Sequence, residues 1–315
     1  MEAIARTFKQ LGHPDRLRIL AALSHGELTV SELTQVLALS QPRVTQYIGS
    51  LEAAGLIERL REGSWVFARL RRAPDGVAEV VRAALQSLPA EHPVLAADAD
   101  RLSDVRRDRA QSAEVFFAEV ANNRGQLSHD FLPSAPIEAA MLAAAGEGSF
   151  ERMVDLGTGS GRMLQLFASR VRRGTGIDLS PDMLRVARHT LAGAEHLFVQ
   201  LGDITGTSLP DGTADLVTLH HVLHYLDHPA TALAEASRLL RPGGLLLVAD
   251  FAAHDHDVFR ESFAHRRLGF TPEEMRDMLD AVGLDGGETR VVTTAEGPDV
   301  LIWRARKRST QRKAA

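Results

Sequence analysis

Residues 153–161 read Met153-Val154-Asp155-Leu156-Gly157-Thr158-Gly159-Ser160-Gly161, an apolar run that meets an acid and then turns through three alternating glycines. A helical pattern follows, with Met163, Leu164 and Phe167 on its inward side. Glycines at a strand-to-helix turn let backbone approach a ligand closely. A second strand, Gly174-Thr175-Gly176-Ile177-Asp178, ends in an acid 21 residues after Gly157. That spacing suits a carboxylate gripping the two hydroxyls of a ribose. A dinucleotide fingerprint would need a small residue at position 162, and Arg162 stands there instead. The glycine register therefore points to a nucleoside ligand of another class.

Further along, Leu201-Gly202-Asp203-Ile204 closes a third strand. Asp215-Leu216-Val217-Thr218-Leu219 forms a fourth and leads into His220-His221-Val222-Leu223-His224. Leu240-Arg241-Pro242-Gly243-Gly244 precedes an apolar fifth strand, Leu245 to Ala249, and the stretches Thr289–Thr293 and Asp299–Arg304 fit a closing hairpin. This ordered set, over about residues 131–308, resembles the class I S-adenosylmethionine-dependent methyltransferases. The resemblance implies a Rossmann-like seven-stranded sheet that takes S-adenosylmethionine or S-adenosylhomocysteine. Gly157, Gly159 and Gly161 would face the methionine part, Asp155 would help position its amino group and Asp178 would hold the ribose. Asp203, with Ile204, would meet the adenine, and His220 would border the cofactor.

Upstream, residues 14–70 are strongly punctuated. Pro14 opens a helix with Leu17, Leu20 and Leu23 on one face. Thr29-Val30-Ser31-Glu32 reads as a capping box for a second helix with Leu33, Val36 and Leu37 inward. Ser40 can cap a third helix, Gln41 to Ala54, which stops at Gly55. Val44, Ile48 and Leu51 share its apolar face, while Gln41, Arg43, Thr45 and Gln46 form a polar one near its start. A helix that reads DNA needs this division, docking one side while the other reaches base edges in the major groove. Leu56–Arg61 and Trp65–Leu70 flank Glu62-Gly63-Ser64 as a hairpin, which makes Arg59, Arg61 and Arg69 candidates for phosphate contact.

The segments HPDRLRIL and SQPRVTQYIGSLEAAGLI resemble the winged helix of the ArsR/SmtB repressor family. That implies operator DNA as partner, bound as a homodimer, with Ser40, Gln41, Arg43, Thr45, Gln46 and Arg61 as the DNA-contacting residues. A winged helix used only for dimerisation is the other use of the fold.

The expected organisation is an α/β chain in two domains. A winged helix-turn-helix over residues 1–72 and a helical, dimerising connector over 73–130 precede the methyltransferase-like domain over 131–308 and a basic tail over 309–315. The connector carries Val77, Val80, Val81, Ala84 and Leu85 on one face, then a long helix from about Val94 to Asn122 with Leu95, Leu102, Val105, Phe116, Phe117 and Val120. The C-terminal stretch from Arg304 to Lys313 holds six basic residues. Residues 1–72 hold ten Lys/Arg against seven Asp/Glu, while the remainder holds 26 against 34. A basic first quarter on an acidic body suits an anionic partner for that quarter.

The chain of 315 residues has no cysteine, which excludes disulfides, thiolate metal sites, thiol-based arsenite chemistry and cytosine C5 methylation through a thiol. Its N-terminus lacks a signal-peptide core, and no run approaches the roughly 20 apolar residues of a membrane span. The expectation is a cytoplasmic protein with no membrane partner.

Methyl transfer is an in-line displacement, so alignment supplies much of its rate and a base helps only where the acceptor must lose a proton. The segment Leu219-His220-His221-Val222 lacks the Asn/Asp-Pro-Pro-aromatic pattern of amino-methylating enzymes. His221 and His224 are the candidate catalytic bases. His228, His254, His256 and His265 lie nearby, and no residue is assigned to a metal.

Overall fold

The computed structural model describes residues 2–62, 65–71, 75–89, 91–122, 134–294 and 297–309, and leaves aside the side chains of 60–62, 65, 75, 109–122 and 134. The hairpin turn Gly63-Ser64, the connector positions Phe116, Phe117 and Val120, and tail residues 310–315 fall outside this description. The chain forms two compact units, Met1–Ser112 and Ala113–Ala315.

In the first unit, α1 (Glu2–Leu11) and α2 (Pro14–Leu23) precede the short β1 (Leu28–Thr29). Next come α3 (Val30–Leu37), α4 (Gln41–Ala53), and the hairpin of β2 (Ile57–Glu62) and β3 (Trp65–Leu70). His13 caps α2 by accepting from the Asp15 amide, with Pro14 in the first turn. The expected capping box is present: Thr29 Oγ1 accepts from the Glu32 amide and Glu32 accepts from the Thr29 amide. Ser40 occupies the N-cap position of α4, but its hydroxyl makes no capping bond. Strands β2 and β3 pair antiparallel from Ile57↔Leu70 to Glu62↔Trp65, and β1 adds to the β3 edge.

The core of this unit combines Ile19, Leu20, Leu23, Leu33, Val36, Val44, Ile48 and Leu51. Two connector helices, α5 (Asp75–Gln86) and α6 (Pro93–Asn122), follow. Leu102 and Val105 of α6 are buried in that same core. Beside them Arg18 binds Asp98 through two nitrogens, at 2.6 and 2.8 Å, and donates to the Leu37 carbonyl. Arg101 donates to Asp98 and to the Val36 carbonyl. The beginning of α6 is thus clamped onto α2 and the end of α3 by charge-assisted bonds in a largely buried setting.

The second unit opens with α7 (Ser134–Ala145). Strands and helices then alternate: β4 (Phe150–Leu156), α8 (Arg162–Leu166), β5 (Val171–Asp178), α9 (Pro181–Thr190), β6 (Leu197–Leu201) and β7 (Ala214–His220). They continue through α10 (Pro229–Leu239), β8 (Leu240–Phe251), α11 (Val258–Phe263), α12 (Pro272–Ala281), β9 (Leu284–Val292) and β10 (Val300–Lys307). The sheet has seven strands in the order β6-β5-β4-β7-β8-β10-β9. Strands β4 to β8 pair in parallel, whereas β10 runs antiparallel to both neighbours. This is the Rossmann-like arrangement expected from the motifs.

Alternate side chains of the central strands feed cores on the two faces. Val154, Leu156, Val217 and Leu219 pack on one side, and Met153, Leu216, Leu245 and Leu247 on the other. The strand order reverses at β4, between β5 and β7, which opens a crevice at the carboxyl ends of those strands. Among the described residues no helix is long and apolar enough to cross a membrane.

Removing one partner of a buried ion pair strands the other, at a cost of about 3–5 kcal/mol. Asp98→Ala is expected to lower the stability of the first unit by about 3 kcal/mol, read as an earlier transition in urea. A change under about 0.5 kcal/mol, the size of an ordinary surface substitution, would show that the clamp contributes little.

Candidate cofactor site and DNA-reading face

The glycine turn sits where the strand order reverses. Gly157 and Thr158 both donate to the Ile177 carbonyl, which fastens the turn to β5. Gly157 has φ 74°, and a Cβ there would lie 2.4 Å from Cγ2 of Val222. No other residue fits both the backbone and the space. Gly176 is constrained by proximity alone, since a Cβ would lie 2.5 Å from the Thr158 hydroxyl.

That hydroxyl has a purpose. Asp155 is buried, and its two oxygens accept from Thr158 Oγ1 at 2.7 Å and Thr218 Oγ1 at 2.6 Å. Burial pushes its carboxyl up to about 6, against the pull of the two hydroxyls. Asp155 thereby ties the end of β4 to the turn and to β7.

Asp178 stands across the turn. Its Oδ2 accepts from the Gly159 amide at 2.8 Å and its Oδ1 from the Ser180 amide at 2.9 Å. Burial raises its carboxyl, while these backbone donors oppose the shift. Gly159 faces open space apart from Met183, whose Cε would lie 3.4 Å from an added Cβ, and Gly161 caps α8 with φ 80°. Asp203 is exposed at the end of β6, where its Oδ1 accepts from the amide and hydroxyl of Thr205. Ile204 behind it is buried. Leu179 is 65% exposed directly after Asp178, an apolar surface beside that carboxylate. Exposed Leu179 and Asp203, with half-buried Asp178, surround an open backbone turn in a set suited to a nucleoside, the acids accepting from hydroxyls and an amine and the leucine walling a base.

Past β7 the chain enters the histidine segment. His220 is partly buried, with its ring 4.6 Å from that of His221. His221 adopts the left-handed conformation, φ 51°, and its amide donates to the Ala249 carbonyl. Such a conformation is costly outside glycine and clusters at functional sites. His224 is 1% exposed, and its Nδ1 lies 2.6 Å from Oδ1 of the fully buried Asp250. Asp250 also accepts from the amides of Leu223 and Phe251. A carboxylate already serving as acceptor assigns the proton to His224 Nδ1 and leaves the Nε2 lone pair bare. Burial holds His221, His224 and His265 well below the ordinary imidazole range and His254 at about 4. It pushes Asp250 up to about 6. The His265 ring stacks on His224 at 3.9 Å, while His256 is exposed.

The sequence reading did not single out Asp250, Thr158, Thr218, Val222 or Leu179. Asp250 carried a usable signal, an acid ending the apolar run Leu245–Ala249 as Asp155 interrupts that of β4. The threonines carried none, because their role depends on strand register.

In the first unit, Ser40, Gln41, Arg43, Thr45 and Gln46 are all exposed, while Val44, Ile48 and Leu51 are buried. Arg43 pairs with Asp15 at 2.8 Å and donates to the Tyr47 hydroxyl. Arg59 pairs with Glu52, and Arg69 with Glu58 and Glu27. The wing arginines expected to be available to phosphate are therefore held by carboxylates of their own fold, and a phosphate must compete for them. The side chain of Arg61 lies outside the described residues.

Part of each unit matches a family of known proteins. Residues 13–59 match the family described as bacterial regulatory protein, arsR family, and residues 154–248 match the methyltransferase domain family. The chain is 38% identical over 103 residues to a malonyl-[acyl-carrier protein] O-methyltransferase of Serratia marcescens, covering 33% of this chain and 39% of that protein. It is 31% identical over 174 residues to an uncharacterized methyltransferase of Mycobacterium bovis, covering 55% of this chain and 62% of that one. It thus spans between a third and two thirds of the length of the curated relatives it matches. Among solved structures, the N-methyltransferase NodS of Bradyrhizobium japonicum WM9, in complex with S-adenosyl-L-homocysteine, superposes with TM-score 0.53 at 21% identity. The match covers 62% of this chain and 97% of that one.

The raised carboxyl of Asp155 has a consequence for stability. Its folded value near 6 lies above the ordinary 3.8, so the folded state holds the proton more tightly. The favourable contribution is complete below about pH 4 and is lost as the pH rises through about 6. Relative to Asp155→Asn, the wild type is expected to lose up to about 3 kcal/mol across that window, measured as urea midpoints at each pH. Parallel curves for the two proteins would contradict the assignment.

Proposed function

We propose that this chain, which joins an ArsR-family helix-turn-helix domain to a methyltransferase domain, is a transcriptional regulator controlled by S-adenosylmethionine or S-adenosylhomocysteine. It acts in the cytoplasm as a homodimeric repressor on operator DNA, and its targets are genes of the methionine and methyl cycle. The observation that carries the regulator reading is the division of α4. The side chains of Ser40, Gln41, Thr45 and Gln46 are exposed, as is that of Arg43, which is held by Asp15 and Tyr47, while Val44, Ile48 and Leu51 on the opposite face are buried. With Arg61 of the wing they read and position the DNA.

The cofactor reading rests on the turn and its two acids. Asp178 holds the ribose, and Asp203 with Ile204 and Leu179 receives the adenine. Gly157, Gly159 and Gly161 present backbone to the methionine part, and His220 borders it. Asp155 acts through the turn, since both its oxygens are engaged by threonines. Bound, the cofactor supplies an activated methyl group or, once demethylated, a signal of methylation demand. Its effect on DNA binding equals its differential affinity for the two states of the dimer.

A second reading is favoured by the buried His224–Asp250 pair and by relatives named as methyltransferases. In it the domain transfers a methyl group to a small molecule, His221 and His224 serve proton removal, and the winged helix is autoregulatory or a dimer handle.

Two hydroxyl bonds to a carboxylate are each worth about 1.5–3 kcal/mol. Asp178→Ala is therefore expected to weaken S-adenosylhomocysteine binding by roughly 10²- to 10⁴-fold in calorimetry. It should also remove any ligand response in a mobility-shift assay on the DNA upstream of the protein's own gene. Ligand-free DNA binding by that variant should match the wild type. No affinity for that DNA, together with turnover of a methyl acceptor, would leave the second reading in its place.

A further inference from the structure

The strongest unexplained feature lies at the carboxyl ends of β7 and β8. Both ring nitrogens of His221, Nε2 of His224, Nε2 of His254 and Nδ1 of His265 are shut off from solvent with no hydrogen-bond partner among the described residues. Buried polar atoms are normally satisfied, and a cluster that is not calls for an explanation such as a bound ion. A fully buried carboxylate, Asp250, lies among them.

The geometry points to a divalent transition-metal site formed by His221, His224 and Asp250. One ligand atom from each lies within 4.8 Å of the others. An ion about 2.1 Å from imidazole nitrogen and carboxylate oxygen needs donors about 3–3.5 Å apart. Binding therefore requires donors up to 4.8 Å apart to close by as much as about an ångström and a half, and the ion to displace the proton between His224 Nδ1 and Asp250, whose 2.6 Å separation opens by a few tenths of an ångström. Two imidazoles and one carboxylate, with positions left open, favour zinc, iron(II), cobalt or nickel over calcium or magnesium, which prefer all-oxygen sites. The left-handed backbone at His221 turns that residue back toward β8, where its amide bonds the Ala249 carbonyl next to Asp250.

The competing histidines fit less well. His254 and His256 lie two residues apart, but His256 is exposed and His254 Nδ1 already accepts from the His256 amide at 3.2 Å. The positive charge of Arg260 bears on both His254 and His265 and works against a cation there. A metal-free His224 acting as a base accounts for one buried nitrogen. A cation accounts for one nitrogen of His221 and for the charge of Asp250.

The test uses the untagged full-length chain, stripped with a chelator and titrated with Co²⁺ by calorimetry and visible absorption, with Zn²⁺ as competitor. The expected result is one saturable equivalent per chain with ligand-field bands that Zn²⁺ abolishes. His221→Ala, His224→Ala and Asp250→Asn should each weaken binding at least tenfold. Circular dichroism separates loss of a ligand from loss of fold. His221→Ala is the deciding variant, because its side chain holds no hydrogen bond that the fold needs. Absence of saturable binding, or binding that His221→Ala leaves unchanged, overturns the proposal and returns His224–Asp250 to a base or an orienting pair. The assignment of the nucleoside site stands apart from either result, since none of its carboxylates is a proposed ligand.

Discussion

The carboxylate of Asp155 is the constraint on which the glycine turn and the candidate nucleoside site depend. It sits 1% exposed between two threonine hydroxyls, one in the glycine turn and one on the neighbouring strand β7. Ionising it there is costly, which is why its carboxyl is pushed up to about 6 and why both oxygens must be bonded. The arrangement forces the turn to close over β5 and makes Gly176 necessary, because any side chain would displace Thr158. It also sets the turn where the Gly159 amide meets Asp178. One buried charge thus carries strand register into the placement of the next acid.

A similar logic runs through Asp250, at the end of β8. It is fully buried, gathers the amides of Leu223 and Phe251, and orients His224. The two acids end neighbouring parts of one parallel sheet and organise the segments that follow the strands. In the first unit, Asp98 does comparable work between helices by taking two bonds from Arg18. In each case a short acid orders backbone that apolar packing alone leaves undirected.

Much of this was legible in the residues. The strand-turn-helix at 153–167, the acids at 178 and 203, and the capping box at Thr29 and Glu32 are local patterns, and local patterns survive folding. The apolar and polar faces of α4 followed from helical periodicity. Features built from distant residues were not legible. Arg59 and Arg69 read as free cations in sequence and are ion-paired in the fold. Ser40 stands at a helix start, but its hydroxyl does not cap it.

The sequence by itself determined the two kinds of unit, their order and the strand ends. These rest on short-range periodicity, turn residues and spacing along the chain. Tertiary structure alone decided that Asp155 meets Thr218, that Asp250 meets His224, and that α6 contributes Leu102, Val105 and Asp98 to the core of the first unit. These contacts join residues 26 to 80 positions apart. Nothing in local pattern specifies such pairings, because they follow from strand register and helix packing, which exist only once the core has formed.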